Sequence, residues 1–283
     1  MSGENPIVSL GELSKPATVL IEKISDVVGG LFRPYQIKRL AKAEAEAELI
    51  RADGQIRVSD LQRRAFYRWL HEEGRKQHNI EEIARKALPE VKEDSQPGKV
   101  EDDWIANFFD KCRLISDAEM QQLWSRVLAG EANLPGSFSK RAVNTLSSLD
   151  KLDAALFTEL CSLGCVFDKL VPLIYDVFAE VYLKHGIGFN TLSHLASIGL
   201  IHFSNQDGFL RLWLPKTTTV SYYGQDVQLT FSGETNNKMD IGKVMLTRTG
   251  EELARICGSK PDEAFLKYLL DCWKQRGYIK EDK

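Results

Sequence analysis

Residues 56–88 hold the pattern that most limits what this chain can become. On one straight helix, at about 100° per residue, Val58, Ala65, Phe66, Trp69, Leu70, Ile80, Ile83, Ala84, Ala87 and Leu88 share one side. Arg57, Arg64, Arg68 and Arg75 fall in a narrow stripe on the opposite side, and Leu61 breaks the pattern by projecting beside them. A helix with so long an apolar seam has to bury it against other helices or another chain, so the spacing predicts a hairpin or an oligomeric stalk. The preceding tract, KRLAKAEAEAELIRA, is rich in strong helix formers with opposite charges at helical spacing. Whether the helix stays continuous through Asp53-Gly54 is left open.

The seam is interrupted by Gln62, Glu73, Lys76 and Gln77. Polar groups turned toward a buried side need partners. These four therefore form a satisfied internal network, the favoured reading, or a contact point for another chain. The arginine stripe reads first as a solvated face. Its sharper alternative is a surface for phosphates or an acidic partner. No aromatic residue interleaves the stripe on its own face, which weakens the case for single-strand binding.

Residues 14–30 predict an amphipathic helix capped by Ser14, with Pro16 in its first turn and Gly29-Gly30 as the stop. Its apolar positions, Ala17, Leu20, Ile21, Ile24, Val27 and Val28, pack on the rest of the protein. A membrane-surface role for residues 14–31 is the alternative. Residues 91–103, with two prolines nearby and many charges, read as a linker between the front helices (1–90) and a central helical core (104–185). In that core Trp104, Phe108, Leu123, Trp124 and Leu128 are the expected packing residues, with capping boxes at Ser116/Glu119 and later at Thr249/Glu252. Helices are expected near 139–149, 151–164 and 167–184. Beyond 186 the period changes: a short helix capped by Asn190, strand-like pieces LIHF, FLRLWL, TTVSYY, DVQLTF and GKVMLT, and a last helix at 262–276. The expected fold is mainly α, with long N-terminal helices, a central helical core and a C-terminal winged-helix-like α/β module.

Composition supports a globular chain: of 283 residues 43% are hydrophobic and 27% charged, and the net charge is −3. That excludes bulk disorder and a strongly basic nucleic-acid coat. The five cysteines, Cys112, Cys161, Cys165, Cys257 and Cys272, include no C-x-x-C. Cys161 and Cys165, four apart on an expected helix, read as buried free thiols rather than a redox pair, in keeping with a reducing cytosol. The N-terminus lacks the basic and apolar regions of a signal peptide, so a cytoplasmic location is expected. No phosphate-loop, dinucleotide, zinc-protease or nucleophile-elbow motif occurs. His71, His78, His185, His194 and His202 match no zinc spacing, even with Cys257 considered beside His194 and His202. Asp102 and Asp103 suit the positive end of a helix. No catalytic residue, metal or cofactor is expected.

The segments RKQHNIEEIARKAL, DDWIANFFDKCRLISDAEMQQLWSRVLAGE and LPGSFSKRAVNTLSSLD resemble an uncharacterised bacterial family, domain of unknown function 2806, over roughly residues 10–200. The match is strongest from Ile115 to Glu131 and at Pro135-Gly136-Ser137. The helical front half and the LW-x-x-x-LAGE helix are similar, more loosely, to the Abi-alpha family of abortive phage infection. That similarity implies phage defence or its regulation and carries no catalytic residues over. The tail, ASIGLIHF and then VMLTRTGEELARI, resembles winged-helix regulators, but the helix TLSHLAS lacks Arg and Lys and offers only His194 for reading DNA. The leading expectation is a non-enzymatic binding and assembly protein, a homo-oligomer with a possible protein partner. A nucleic-acid-binding regulator using Arg57, Arg64, Arg68 and Arg75 is one alternative; a membrane-acting effector using residues 14–31 is another.

Overall fold

A computed structural model describes residues 13–29 and 60–279, and the chain divides into two compact units, with the boundary between Val143 and Asn144. The first unit is helical. Helix α1 (Lys15–Val28) starts where Ser14 Oγ accepts the Ala17 N–H and stops at Gly29, whose φ is 86°. It buries Ala17, Leu20, Ile21 and Ile24, the face the sequence marks out. Helix α2 (Asp60–Ala87) runs unbroken past Gly74. Its burial differs from the expected seam. Asn79, Ile80, Ile83, Ala84 and Ala87 are buried, but Phe66 and Trp69 remain 40% and 54% exposed. Among the described residues the packing on α2 falls on its second half, where buried Asn79 donates to the Arg113 carbonyl at 3.0 Å. Val58, Arg57 and the Asp53-Gly54 junction lie outside the described residues.

Residues 91–103 are anchored rather than a free linker. Val91, Pro97 and Val100 are buried. Asn133 ties the segment down, accepting the Lys92 N–H at 2.8 Å and donating to the Glu90 carbonyl at 2.9 Å. Helices α3 (Asp102–Cys112) and α4 (Ala118–Asn133) supply the core. Trp104 stacks on Phe108 with centroids 5.1 Å apart, and Phe108 meets the edge of Trp124 at the same distance. Of the five expected core residues only Leu123 is half-buried; the other four are buried. The cap of α4 is Asp117, one residue beyond the expected Ser116, and it accepts from Glu119 and Met120 N–H groups.

The turn after α4 is built on a buried carboxylate. Glu131 accepts the Gly136 N–H at 2.6 Å on one oxygen and the Phe138 N–H at 2.9 Å on the other. This folds Phe138 back over Gly130, where an added Cβ would lie 2.5 Å from the ring. The Phe138 carbonyl then receives the Trp104 indole N–H at 2.7 Å. Burial pushes the Glu131 carboxyl above its ordinary value, against the pull of these donors.

Helix α5 (Lys140–Ser148) spans the unit boundary, and α6 (Lys151–Ser162) opens the second unit with Asp150 and Asp153 in a reciprocal capping box. The helix expected over 167–184 is not formed. In its place stand β1 (Gly164–Val166), β2 (Leu170–Pro172) and the short α7 (Glu180–Leu183). An apolar run fits a buried strand as well as a helix, and here β1 joins a sheet. The stretch read as one central core (104–185) is therefore split between the two units. Helix α8 (Phe189–Ser197) is capped at Gly188 rather than Asn190 and ends before Gly199. Then come β3 (Ile201–Phe203), β4 (Phe209–Leu214), β5 (Thr217–Tyr222), β6 (Gln225–Thr230), β7 (Asn237–Gly242) and β8 (Val244–Leu246). β7 was not expected. The antiparallel sheet runs β2-β1-β5-β6, with separate β3-β8 and β4-β7 pairs. Helix α9 (Arg248–Ala254) is capped by Thr247, two residues before the expected Thr249, and α10 (Glu263–Gln275) closes the described chain. Buried Tyr222 joins three elements here: its hydroxyl donates to the Ser162 carbonyl at 3.0 Å and accepts the Asp262 N–H at 2.7 Å. The chain is thus mixed and helix-rich.

Two substitutions test the first unit. Trp124→Ala removes a fully buried indole and should cost about 3–5 kcal/mol; a chemical melt within error of the parent would refute the core assignment. Glu131→Gln keeps the side-chain shape but sets an NH2 against one backbone N–H. It should cost about 1–3 kcal/mol in the same measurement, with Glu131→Asp as a length control.

Candidate functional site

Two surfaces carry chemistry, one in each unit. The first is the amino-terminal half of α2. Arg64 Nε lies 3.1 Å from Asp60, and Arg68 Nε lies 3.6 Å from Glu72. Two of the stripe's cations thus face carboxylates on their own helix, while Arg75 makes no ion pair among the described residues. Arg57 lies outside them. On the seam, Lys76 Nζ bonds Glu73 at 2.6 Å and Gln77 donates to Glu81 at 2.7 Å, so these polar groups are met by local partners one turn away. Gln62 is exposed. Around Phe66 the surface is aromatic: its ring lies 6.3 Å from Tyr67 and 6.0 Å from Trp69, and Leu61 is exposed one turn earlier.

The second surface is a cleft of about 500 Å³ in the C-terminal unit. Val166, Leu170, Leu246 and Ala254 give it apolar walls, and Tyr223, Ser259 and Arg255 stand on one side. Lys169 and Glu251, paired at 2.7 Å, bridge its rim. Cys257, half-buried, follows α9 in the chain between Ala254 and Ser259, which line the cleft. Thr158 Oγ1, on α6, donates to the Cys257 carbonyl at 3.3 Å, which sets Cys257 beside the same helix that carries Cys161 one turn later.

The Cys257 S–H donates to the Ala254 carbonyl at 3.3 Å, and the groups that act on its titration as donors are the Cys161 thiol and then the Ser259 N–H and hydroxyl. Tyr223 extends the chain of contacts, with its hydroxyl 2.6 Å from Ser259 Oγ. These donors, Cys161 first, hold the Cys257 thiol down to about 6 despite burial. Burial pushes Cys161 well up, and Cys165 up to about 12. The sequence pairs Cys161 with Cys165 on one helix face. Instead β1 carries Cys165, and the partner of Cys161 lies far along the chain, where no local spacing signals it.

Nearby, His185 lies between Glu159 on α6, 2.6 Å from Nδ1, and Asp262, 3.0 Å from Nε2. His194 bonds Asp153 at 2.7 Å. Among the described residues no group of three or more His, Cys, Asp or Glu side chains is arranged to hold a metal ion. No helix among them is long and apolar enough to cross a membrane.

The titration of Cys257 is measurable. The groups that act on it are Cys161 and Ser259, and Tyr223 interacts with it in turn. A lowered thiol is thiolate above its titration point, so alkylation of Cys257 by iodoacetamide should rise with pH to a half-point near 6. An ordinary cysteine reaches that point at about 8.5. Peptide mapping across pH 4–10 checks this (a scan of about six units around those values), and a Cys257 curve like that of a free thiol would refute the donor assignment.

The family profile described as Protein of unknown function (DUF2806) matches residues 63–270. No curated protein and no solved structure gives a match. The matched segment takes in most of α2, the Glu131 turn, the whole sheet and the cysteine pair. With far more than half of its length inside the match, the chain belongs to the DUF2806 family.

Proposed function

We propose that this chain is a non-enzymatic, cytoplasmic binding protein that assembles with copies of itself, and that it serves bacterial phage defence, as abortive infection or its regulation. One observation carries the assembly reading. Helix α2 leaves Phe66 and Trp69 exposed, with Tyr67 against Phe66, before its burial begins at Asn79. Exposed aromatic clusters on a rigid element are characteristic of protein interfaces. The defence reading is supported by the looser Abi-alpha similarity of the front helices and the LW-x-x-x-LAGE segment, now α4.

A winged-helix-like arrangement in residues 186–283 belongs to the same proposal. Helix α8 runs into β3, β3 pairs with β8, and β8 returns to α9. Because α8 has no Arg or Lys, this face suits a protein partner better than a DNA groove. Nucleic-acid binding is the lesser reading, since Asp60 and Glu72 offset two of the arginines it needs. A membrane role for α1 would first expose Leu20 and Ile24, at about 1.5–3 kcal/mol each.

Light scattering of the purified chain tests the assembly reading. The parent should be an oligomer at micromolar concentration and high salt. Phe66→Ser with Trp69→Ser should lower its mass while leaving the melt unchanged, because both side chains are exposed within the chain. A monomeric parent would sink the proposal.

A further inference from the structure

The thiol cluster in the C-terminal unit has no part in the assembly reading, and its geometry is specific. Cys161 is fully buried on α6, and its thiol and that of Cys257 act on one another. The Thr158 bond to the Cys257 carbonyl fixes the two backbones side by side. Cys257 is the more accessible of the pair. It sits between Ala254 and Ser259, both of which line the cleft. Tyr223 donates to the Ser259 hydroxyl at 2.6 Å, two residues beyond Cys257. A half-buried thiol between two residues of a cleft wall, tied by its backbone to the helix that carries a second, sheltered thiol, has the parts of a two-cysteine oxidation site.

We infer that Cys257 and Cys161 form a peroxide-oxidisable pair, with Cys257 as the attacking sulfur and Cys161 as the resolving one. In the first step the Cys257 sulfur attacks the O–O bond of a hydroperoxide. An S–O bond forms, the O–O bond breaks, and the leaving oxygen takes up the proton that Cys257 gave up. Cys257 becomes a sulfenic acid, oxidised by two electrons, and the hydroperoxide is reduced to an alcohol, or to water when hydrogen peroxide is used. In the second step the Cys161 sulfur attacks the sulfenic sulfur. The S–S bond forms, the S–O bond breaks, and the hydroxyl leaves as water with the Cys161 proton. A dithiol reductant returns the pair to two thiols. The Ser259 and Tyr223 hydroxyls are positioning groups: they hold the attacking sulfur and touch no bond that breaks.

Cys257 is half-buried between two residues of the cleft wall, and the other cysteines lack that place. Cys112 and Cys165 are buried, and burial raises both thiols. Cys272 lies on α10, half-buried and beside Tyr268. The resulting disulfide would fasten α6 to the loop between α9 and α10, closing most of the second unit into one covalent ring.

The test uses the full chain, reduced and freed of reductant, then treated with a small excess of hydrogen peroxide. Non-reducing peptide mapping should find one linked pair joining Cys161 to Cys257. Fragmentation must separate Cys161 from Cys165, because both lie between Lys151 and Lys169, in one tryptic peptide. Thiol titration in denaturant should fall by two groups and recover on adding dithiothreitol. In Cys161→Ala the reaction should stop at a sulfenic acid on Cys257, trapped by dimedone. Ser259→Ala should slow the oxidation several-fold without changing which residues link. The mapping of the parent needs no variant to fold, so it stands by itself. A link between any other two cysteines, uniform oxidation of all five, or no loss of thiol would overturn the inference.

Discussion

Buried polar groups must be met inside the protein, and in this chain that requirement fixes the turns on which both units depend. Glu131 is the clearest case. Its two oxygens each take one backbone N–H from the following loop, so the loop has a single conformation in which they are satisfied. That conformation puts Phe138 over Gly130 and sends its carbonyl to Trp104, whose ring stacks on Phe108 and so on to Trp124. Removing the carboxylate would therefore loosen more than one turn. Tyr222 has the same office in the second unit. One hydroxyl joins the end of α6 to the start of α10, two points that the chain separates by the whole sheet.

This requirement also explains which parts of the fold were legible in the sequence. Local signals read well. Ser14 caps, Gly29 and Gly199 stop their helices, and the alternating pieces in the last third are strands. Caps failed by one or two residues where two candidates stood close together, as with Ser116 and Asp117, or Thr249 and Thr247. The larger miss was the helix expected over 167–184. Its apolar content suits either state, and Leu170–Pro172 pairs instead with β1, which the contact of Val166 with distant Ser221 joins to the sheet. Likewise the seam of α2 was read correctly as a pattern, but periodicity shows which face is apolar, not how far a neighbour reaches along it.

The candidate sites follow the same division. The arginines and the polar seam residues of α2 were visible because they lie on one helix, and the structure adds their partners, Asp60, Glu72 and Glu81. The Cys161–Cys257 cluster was invisible for the opposite reason. Its members come from α6, β5 and its turn, and the loop after α9, and only the tertiary fold brings them together. Sequence spacing stacked Cys165 with Cys161 on one helix face as buried free thiols; both are buried and free, but the change from helix to strand at Gly164 takes Cys165 off that face.

The residues that carry the family resemblance are largely those that build the Glu131 turn. Gly130 clears space for Phe138, Glu131 binds the loop, Gly136 takes a left-handed φ of 86°, and Ser137 donates back to the Gly130 carbonyl. Each has a folding role sufficient to explain its identity. Membership of the family is silent about activity, because one fold can carry many functions. Function has to be argued from groups that folding does not need. Phe66 and Trp69 are such groups, since their exposure contributes nothing to the stability of the chain in which they stand. The Ser259 and Tyr223 hydroxyls are others: packing needs neither, yet Tyr223 donates to Ser259 beside the half-buried Cys257. Those two places, rather than the shared motif, are where this chain's own chemistry can be sought.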